Sequence, residues 1–239
     1  MSLRIAVPPD ELRRRCEAAS VRAVAGHPDY EDGAVVPAGP WRPLTEALCR
    51  ELAPTTGTAD ATLVELVRAA DIDPGLLAAQ HVTALGRAAS PPDAATITPN
   101  YADGRRIGIH LDNWDKLDYQ HKAHGRRRLC VNLGPGARYL LVCDTDIREI
   151  CRTVRPDYAT CYPHTDDLRA YIAAGFPLTC LRIRLEPGDG YLAPTELLPH
   201  DGSTAGVTEP STAAFWLGHW PREAFNGPSA VVRAVNSAS

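Results

Sequence analysis

Three histidine–aspartate pairs with one residue between them stand in this 239-residue chain: His27-Pro28-Asp29, His110-Leu111-Asp112 and His164-Thr165-Asp166. An imidazole and a carboxylate can ligate the same divalent cation, so each pair is a candidate half-site. Local context separates them. Pro28 interrupts the first copy within a turn-rich stretch, and Thr165 and Asp166 read as N-terminal caps of a helix. Only His110-Leu111-Asp112 ends a strand-like run, "GRRIGIHL". On a strand, residues two apart project from the same face, so these two side chains can converge on one ion.

A second segment, "EPGDGYLAPTELLPH", carries a Pro187-Gly188-Asp189 turn into a short strand, then Pro194 and His200. The two segments together resemble the metal-binding motifs of the cupin superfamily. Gly104, five residues, then His110-Leu111-Asp112 matches the first motif; Gly188, five residues, then Pro194 and His200 matches most of the second. The spacing before His200 is longer than the family pattern. An aspartate at 112, where many cupins have histidine, makes the chain similar to the iron(II)/2-oxoglutarate-dependent oxygenases, including the JmjC-like branch.

That resemblance implies a double-stranded β-helix (jelly-roll) core and three ligands to Fe(II): His110, Asp112 and His200. Two imidazoles and one carboxylate on one face of an octahedron leave adjacent positions open for substrates and O₂. It also implies 2-oxoglutarate as cosubstrate, decarboxylated to succinate while an unactivated C–H bond is hydroxylated, with desaturation or ring formation as variants. Many members bind the distal carboxylate of 2-oxoglutarate with an Arg soon after the last histidine, and none lies between His200 and Arg222. The JmjC-like pattern places a cation after a Gly-containing turn, and in "LGPGARYLLV" that position is Arg138. An Arg fork binds a carboxylate bidentately. Arg128 and Asn132 are second candidates for the same pocket, and Tyr191 or Thr204 could add a hydroxyl. Two other classes stay open: a 2-oxoglutarate-independent cupin-type metal dioxygenase, and a non-catalytic small-molecule-binding cupin.

What must position these residues is read as an α+β chain forming one domain over 1–239. Residues 1–95 read as a mainly helical bracing part. The expected helices are "PDELRRRCEAASVRAVAG", "LTEALCREL" started by Thr45, "ADATLVELVRAADI", and "DPGLLAAQHVTALG" with Asp73 and Pro74 at its start. "GHPDYEDGAVVPAGPWRP" reads as loop. Residues 96–239 read as the β-helix core. In it, "RRLCVNLGPGARYLLVCD" forms two strands joined by a Gly134-Pro135-Gly136 turn, and further strands lie at "LTCLRIRLEPGDGYLAP", "TAAFWLGHW" and "AVVRAV". A helical insertion over 144–176 contains "DIREICRTV" and "TDDLRAYIAAG".

Composition bounds the partners. A net charge of −4 gives no general attraction to polyanions, so nucleic acid is not expected. Arg126, Arg127 and Arg128 read as a surface basic run, and His121 and His124 as an exposed loop. No apolar run approaches membrane-spanning length and no leader pattern opens the chain, so a cytoplasmic protein without a membrane partner is expected. Seven cysteines without a C-x-x-C pair suggest buried reduced thiols. The expected partner is a small metabolite, with amino acids or natural-product intermediates leading; no pattern fixes an oligomeric state.

Overall fold

The computed structural model describes residues 2–54 and 62–225. Its strands form two six-stranded mixed sheets with few helices, an α+β arrangement in which one sheet is nearly barrel-shaped. One sheet runs β1 (Arg4–Ala6), β4 (Leu63–Arg68), β10 (Asp189–Ala193), β7 (Arg127–Pro135), β12 (Ser211–Gly218) and β5 (Thr83–Ser90). The other runs β11 (His200–Ser203), β8 (Arg138–Cys143), β9 (Thr179–Leu185), β2 (Cys16–Ala23), β3 (Tyr30–Pro43) and β6 (Arg106–Gly108). Among the described residues, only β1 with β4 and β3 with β6 are parallel.

Beyond β6 the chain stays extended, so that Ile109 bridges Val35 and His110 bridges His200. The second bridge joins the two edges of the second sheet: each histidine N–H donates to the other's carbonyl at 2.9 Å. Closure satisfies backbone groups that an open edge would leave unpaired. Gly108 makes the approach feasible. Its φ is +72°, and a Cβ there would run into the Val35 carbonyl oxygen.

From β5 onward the strands pair by nesting: β5 with β12, the continuation of β6 with β11, β7 with β10, and β8 with β9. First pairs with last, so this half of the chain is a long hairpin wound around one interior. Strand alternation fills that interior. Leu140 and Val142 of β8 and Leu181, Ile183 and Leu185 of β9 pack in one cluster with Cys130, Tyr191, Ala193 and Ala213 of the facing sheet. Helices α1 (Pro9–Arg15) and α2 (Glu46–Leu52) add Leu12, Cys49 and Leu52. Opposite residues of the same strands, Leu141, Cys143 and Cys180, lie under the insertion and meet Ile147, Ile150 and Leu168.

The first 95 residues are not mainly helical, which corrects the sequence expectation. α1 stops at Arg15, and the rest of that expected helix is β2, held between β3 and β9. The "LVELVR" of another expected helix is β4, between β1 and β10; residues 59–61 of that stretch lie outside the described residues. After Asp73 caps Gly75 N–H at 2.8 Å, α3 (Pro74–Leu77) lasts one turn before β5. Ala, Leu and Arg favour helices by only tenths of a kcal/mol each, and sheet pairing on both sides outweighs that. The expected loop "YEDGAVVPAGPWRP" is the long strand β3; its prolines follow Val36, where β6 no longer pairs with it, and cost no ladder bond on that edge.

The core is read more accurately. The insertion forms α4 (Ile147–Val154), capped by Asp146, and α5 (Thr165–Ala173), whose cap is His164 in a reciprocal box with Asp167. The strands on either side of Gly134-Pro135-Gly136 exist but do not pair; the chain crosses there from one sheet to the other. "AVVRAV" lies outside the described residues. Among the described residues no helix is long and apolar enough to cross a membrane.

Candidate metal centre

The bridge between the two sheet edges also brings three potential metal ligands together. His110 and His200 face each other across it with ring centroids 4.8 Å apart, and Asp112 follows two residues along. One ligand atom from each of His110, Asp112 and His200 lies within 4.8 Å of the others, and all three residues are buried. This is a buried His-Asp-His group that could hold a metal ion.

Both imidazoles are oriented by backbone. His110 Nδ1 lies 2.9 Å from Gly108 O and His200 Nδ1 lies 3.1 Å from Leu198 O, each carbonyl two residues upstream. A carbonyl only accepts, so each Nδ1 carries a proton, and the neutral His200 ring presents its lone pair at Nε2. His200 Nε2 is buried with no hydrogen-bond partner, 3.7 Å from Asp112 Oδ2. Burial pushes the His200 imidazolium pKa down to about 3, so this ring is neutral. Burial alone would raise the Asp112 carboxyl, but Arg128 together with His200 and His110 holds it below the ordinary value. A neutral imidazole beside an ionised carboxylate is the donor state a divalent cation requires.

The surrounding elements fix the ligand strand. Asp112 N–H donates to Thr195 O at 3.0 Å, and Leu111 N–H donates to Thr165 Oγ1 at 3.2 Å. Thr165, the middle residue of the third H-x-D segment, thus steadies the second from the start of α5.

The remaining candidates separate sharply. Arg128 is not on the surface: its Nη2 reaches both Asp112 oxygens at 2.8–2.9 Å. Arg127 is buried as well and pairs with Glu65 at 2.6 Å. The expected surface run is thus mostly interior, because β7 is a central strand. Asn132 is spent on the crossover, donating to Gly136 O and Leu185 O and accepting from Gly134 N–H. Thr204 is likewise spent, donating to Pro91 O at 2.7 Å and accepting from Ala94 N–H at 3.0 Å. Neither has a donor hydrogen left for a carboxylate. Tyr191 points into the interior, where burial first and the neighbouring Cys130 second push its phenol well above the ordinary value, so it is neutral.

Arg138 differs from all of these. It is 3% exposed, its Nη1 is buried without a partner, and among the described residues it makes no ion pair. Its guanidinium lies 5.9 Å from the Phe215 ring centroid, and Arg128 lies 5.7 Å from the same centroid. Gly202, which pairs with Leu140, lies beside it: a Cβ there would meet Ile97 first, at 2.3 Å, and then Arg138 Nη2 at 3.0 Å. The interior therefore holds one cation committed to Asp112 and one uncommitted.

Sequence reasoning missed Lys122 and Glu196, both buried beside the ligand strand. Glu196 lies within the quoted second motif, but Lys122 in "YQHKAHG" carries no signal of burial. Compared with known proteins, the chain matches no family model and no curated sequence.

Proposed function

We propose that the protein is an Fe(II)- and 2-oxoglutarate-dependent oxygenase on a double-stranded β-helix core, acting on a small metabolite. The fold reading is supported by the nested pairing of eight strands, the pattern of a jelly roll. The observation that carries the function is the shared interior of an open-lone-pair His-Asp-His group and an unpaired buried arginine. An uncompensated buried guanidinium is costly, and a dianionic cosubstrate that chelates metal at one end and needs a cation at the other accounts for both features.

His110, Asp112 and His200 would hold the iron, which supplies O₂ activation and C–H oxidation when bound. The protein's own contributions follow from its contacts. Gly108 O and Leu198 O orient the imidazoles, and Arg128 keeps Asp112 ionised and fixes its plane. Arg138 binds the distal carboxylate in a bidentate fork, and Phe215 stacks against that cation. The neutral Tyr191 phenol donates a hydrogen bond towards the same carboxylate. The enclosing sheets exclude water from the reacting centre.

The test is anaerobic addition of Fe(II) and 2-oxoglutarate to the purified protein, read by visible absorption. A charge-transfer band of a chelated 2-oxo acid is expected, and it disappears in Arg138→Met while iron remains bound. Iron binding without a band would instead favour a 2-oxoglutarate-independent metal dioxygenase. No stoichiometric iron would reject both.

A further inference from the structure

The helical insertion holds two thiols in contact. Cys151 lies in the last turn of α4, and Cys161 follows a single 3₁₀ turn, Tyr158–Thr160, on the way to α5. Their sulfurs are 3.0 Å apart, so a covalent S–S bond needs them only about 1 Å closer. Cys161 Sγ also donates to Tyr158 O at 3.2 Å, which holds it beside Cys151.

Access separates this pair from the other cysteines. Cys143 and Cys180 stand opposite each other on β8 and β9, and neither is exposed. Cys16, Cys49 and Cys130 are sealed in the interior cluster. Cys161, at 9%, is the most exposed of the seven, while Cys151 behind it is fully buried. Burial first, and the contact with Cys161 second, push the Cys151 thiol up to about 12. Cys151 is therefore a poor first nucleophile, and an oxidant arriving from solvent meets Cys161.

We propose that Cys151 and Cys161 are an oxidative modification site, cross-linked by a peroxide and released again by thiols. The Cys161 sulfur attacks the O–O bond and loses its proton; one oxygen stays on sulfur as a sulfenic acid and the other leaves as water. The Cys151 sulfur then attacks the sulfenic sulfur, loses its proton, and expels the remaining oxygen as a second water. Two thiols and one hydrogen peroxide thus give one disulfide and two waters, with two electrons passing from the sulfurs to the O–O bond.

The bond joins residues 10 apart and ties the end of α4 to the segment leading into α5. Arg155, between the two cysteines, already pairs with Asp167 of α5 at 2.5 Å. Thr165, at the start of α5, accepts the Leu111 N–H. Oxidation therefore fastens the insertion where it meets the residue between His110 and Asp112. This stands on the thiol pair alone and does not depend on the oxygenase reading.

The experiment treats full-length protein, with a chelator present, with a small excess of hydrogen peroxide. Remaining thiols are blocked with iodoacetamide, and the tryptic peptides are weighed without reduction. Cys151 and Cys161 fall in different peptides, 149–152 and 153–169, because Arg155 precedes Pro156 and is not cut. The expected product is these two peptides joined with the loss of two hydrogens, the other five cysteines being blocked. Dithiothreitol should undo the link. The oxidised protein should melt several degrees above the reduced form, since the link restricts the unfolded chain. In C151S that difference is lost, and dimedone should trap the sulfenic acid on Cys161. The proposal is overturned if all seven thiols are still blocked after peroxide, or if a different pair is joined. It also fails if Cys161 passes to the sulfinic acid without linking, or if the linked protein melts no higher. The peptide result needs only wild-type protein, so a poorly folding variant does not remove the test.

Discussion

Replacing Arg138 by methionine should make the ligand-free protein more stable and the cosubstrate-saturated comparison reverse. The side chain is 3% exposed, Nη1 has no partner, and the Phe215 ring 5.9 Å away is its main compensation. A cation–π contact of this kind returns about 0.5–2 kcal/mol, against an effective burial cost of several kcal/mol for the ion. Apolar replacement of buried charged groups gains about 1–4 kcal/mol where volume is kept. With a single ion removed and the Phe215 contact changed, the lower half of that range applies, about 1–2 kcal/mol. At roughly 2–4 °C per kcal/mol for a domain of this size, Arg138→Met melts about 2–8 °C higher without ligand. At 100 times its Kd, 2-oxoglutarate would then stabilise wild type by about 2.7 kcal/mol and the variant not at all. The assay is calorimetric melting of both metal-loaded proteins, anaerobically, with and without 2-oxoglutarate. A variant that melts lower than wild type in the absence of ligand refutes the reasoning, because Arg138 would then be part of the scaffold. Equal ligand gains in the two proteins refute the anchor.

Three further outcomes are expected. His200→Ala removes a ligand and should weaken Co(II) binding by more than the about 10–100-fold typical of losing a supporting contact, measured by absorption titration; retained affinity would show that the three residues do not act together. Gly108→Ala places a methyl group against the Val35 carbonyl at a φ of +72°, and should cost about 2–4 kcal/mol in urea unfolding. A normal midpoint would mean that β3 does not approach as closely as described. The Asp115 carboxyl is held below its ordinary 3.8, chiefly by its hydrogen bond from Arg126, so its stabilisation is complete above that value and is lost as the pH falls through the lowered one. Asp115→Asn should therefore reduce the drop in melting temperature on acidification below pH 4 or so, and an unchanged pH profile would exclude the linkage.

How much was legible follows from where the controlling interactions lie. The grouping of His110 and Asp112 follows from strand periodicity, which is local, and the caps at Thr45, Asp73 and Asp146 are local too. Segments such as Cys16–Ala23 and Leu63–Arg68 have residues compatible with either helix or strand, and their partners decide. Arg127 and Arg128 look like a solvated run in sequence, yet β7 sits between β10 and β12, so both are enclosed. Asn132 and Thr204 are plausible pocket residues by type, but their hydrogen bonds are consumed by the crossover and by the loop before β6.

The sequence by itself determined the pair of potential ligands, His110 and Asp112, that one extended segment can present, the α+β character of the chain, and the punctuation of the insertion helices. Those depend on side-chain period and on backbone geometry within a few residues. Only the tertiary structure decided that His200 meets them, because that contact is a pairing between strand edges separated by most of the core. It also decided which arginine is committed and which is not. Charge can be counted in a sequence, but the cost of burying it, and the partner that offsets that cost, exist only once the sheets have closed.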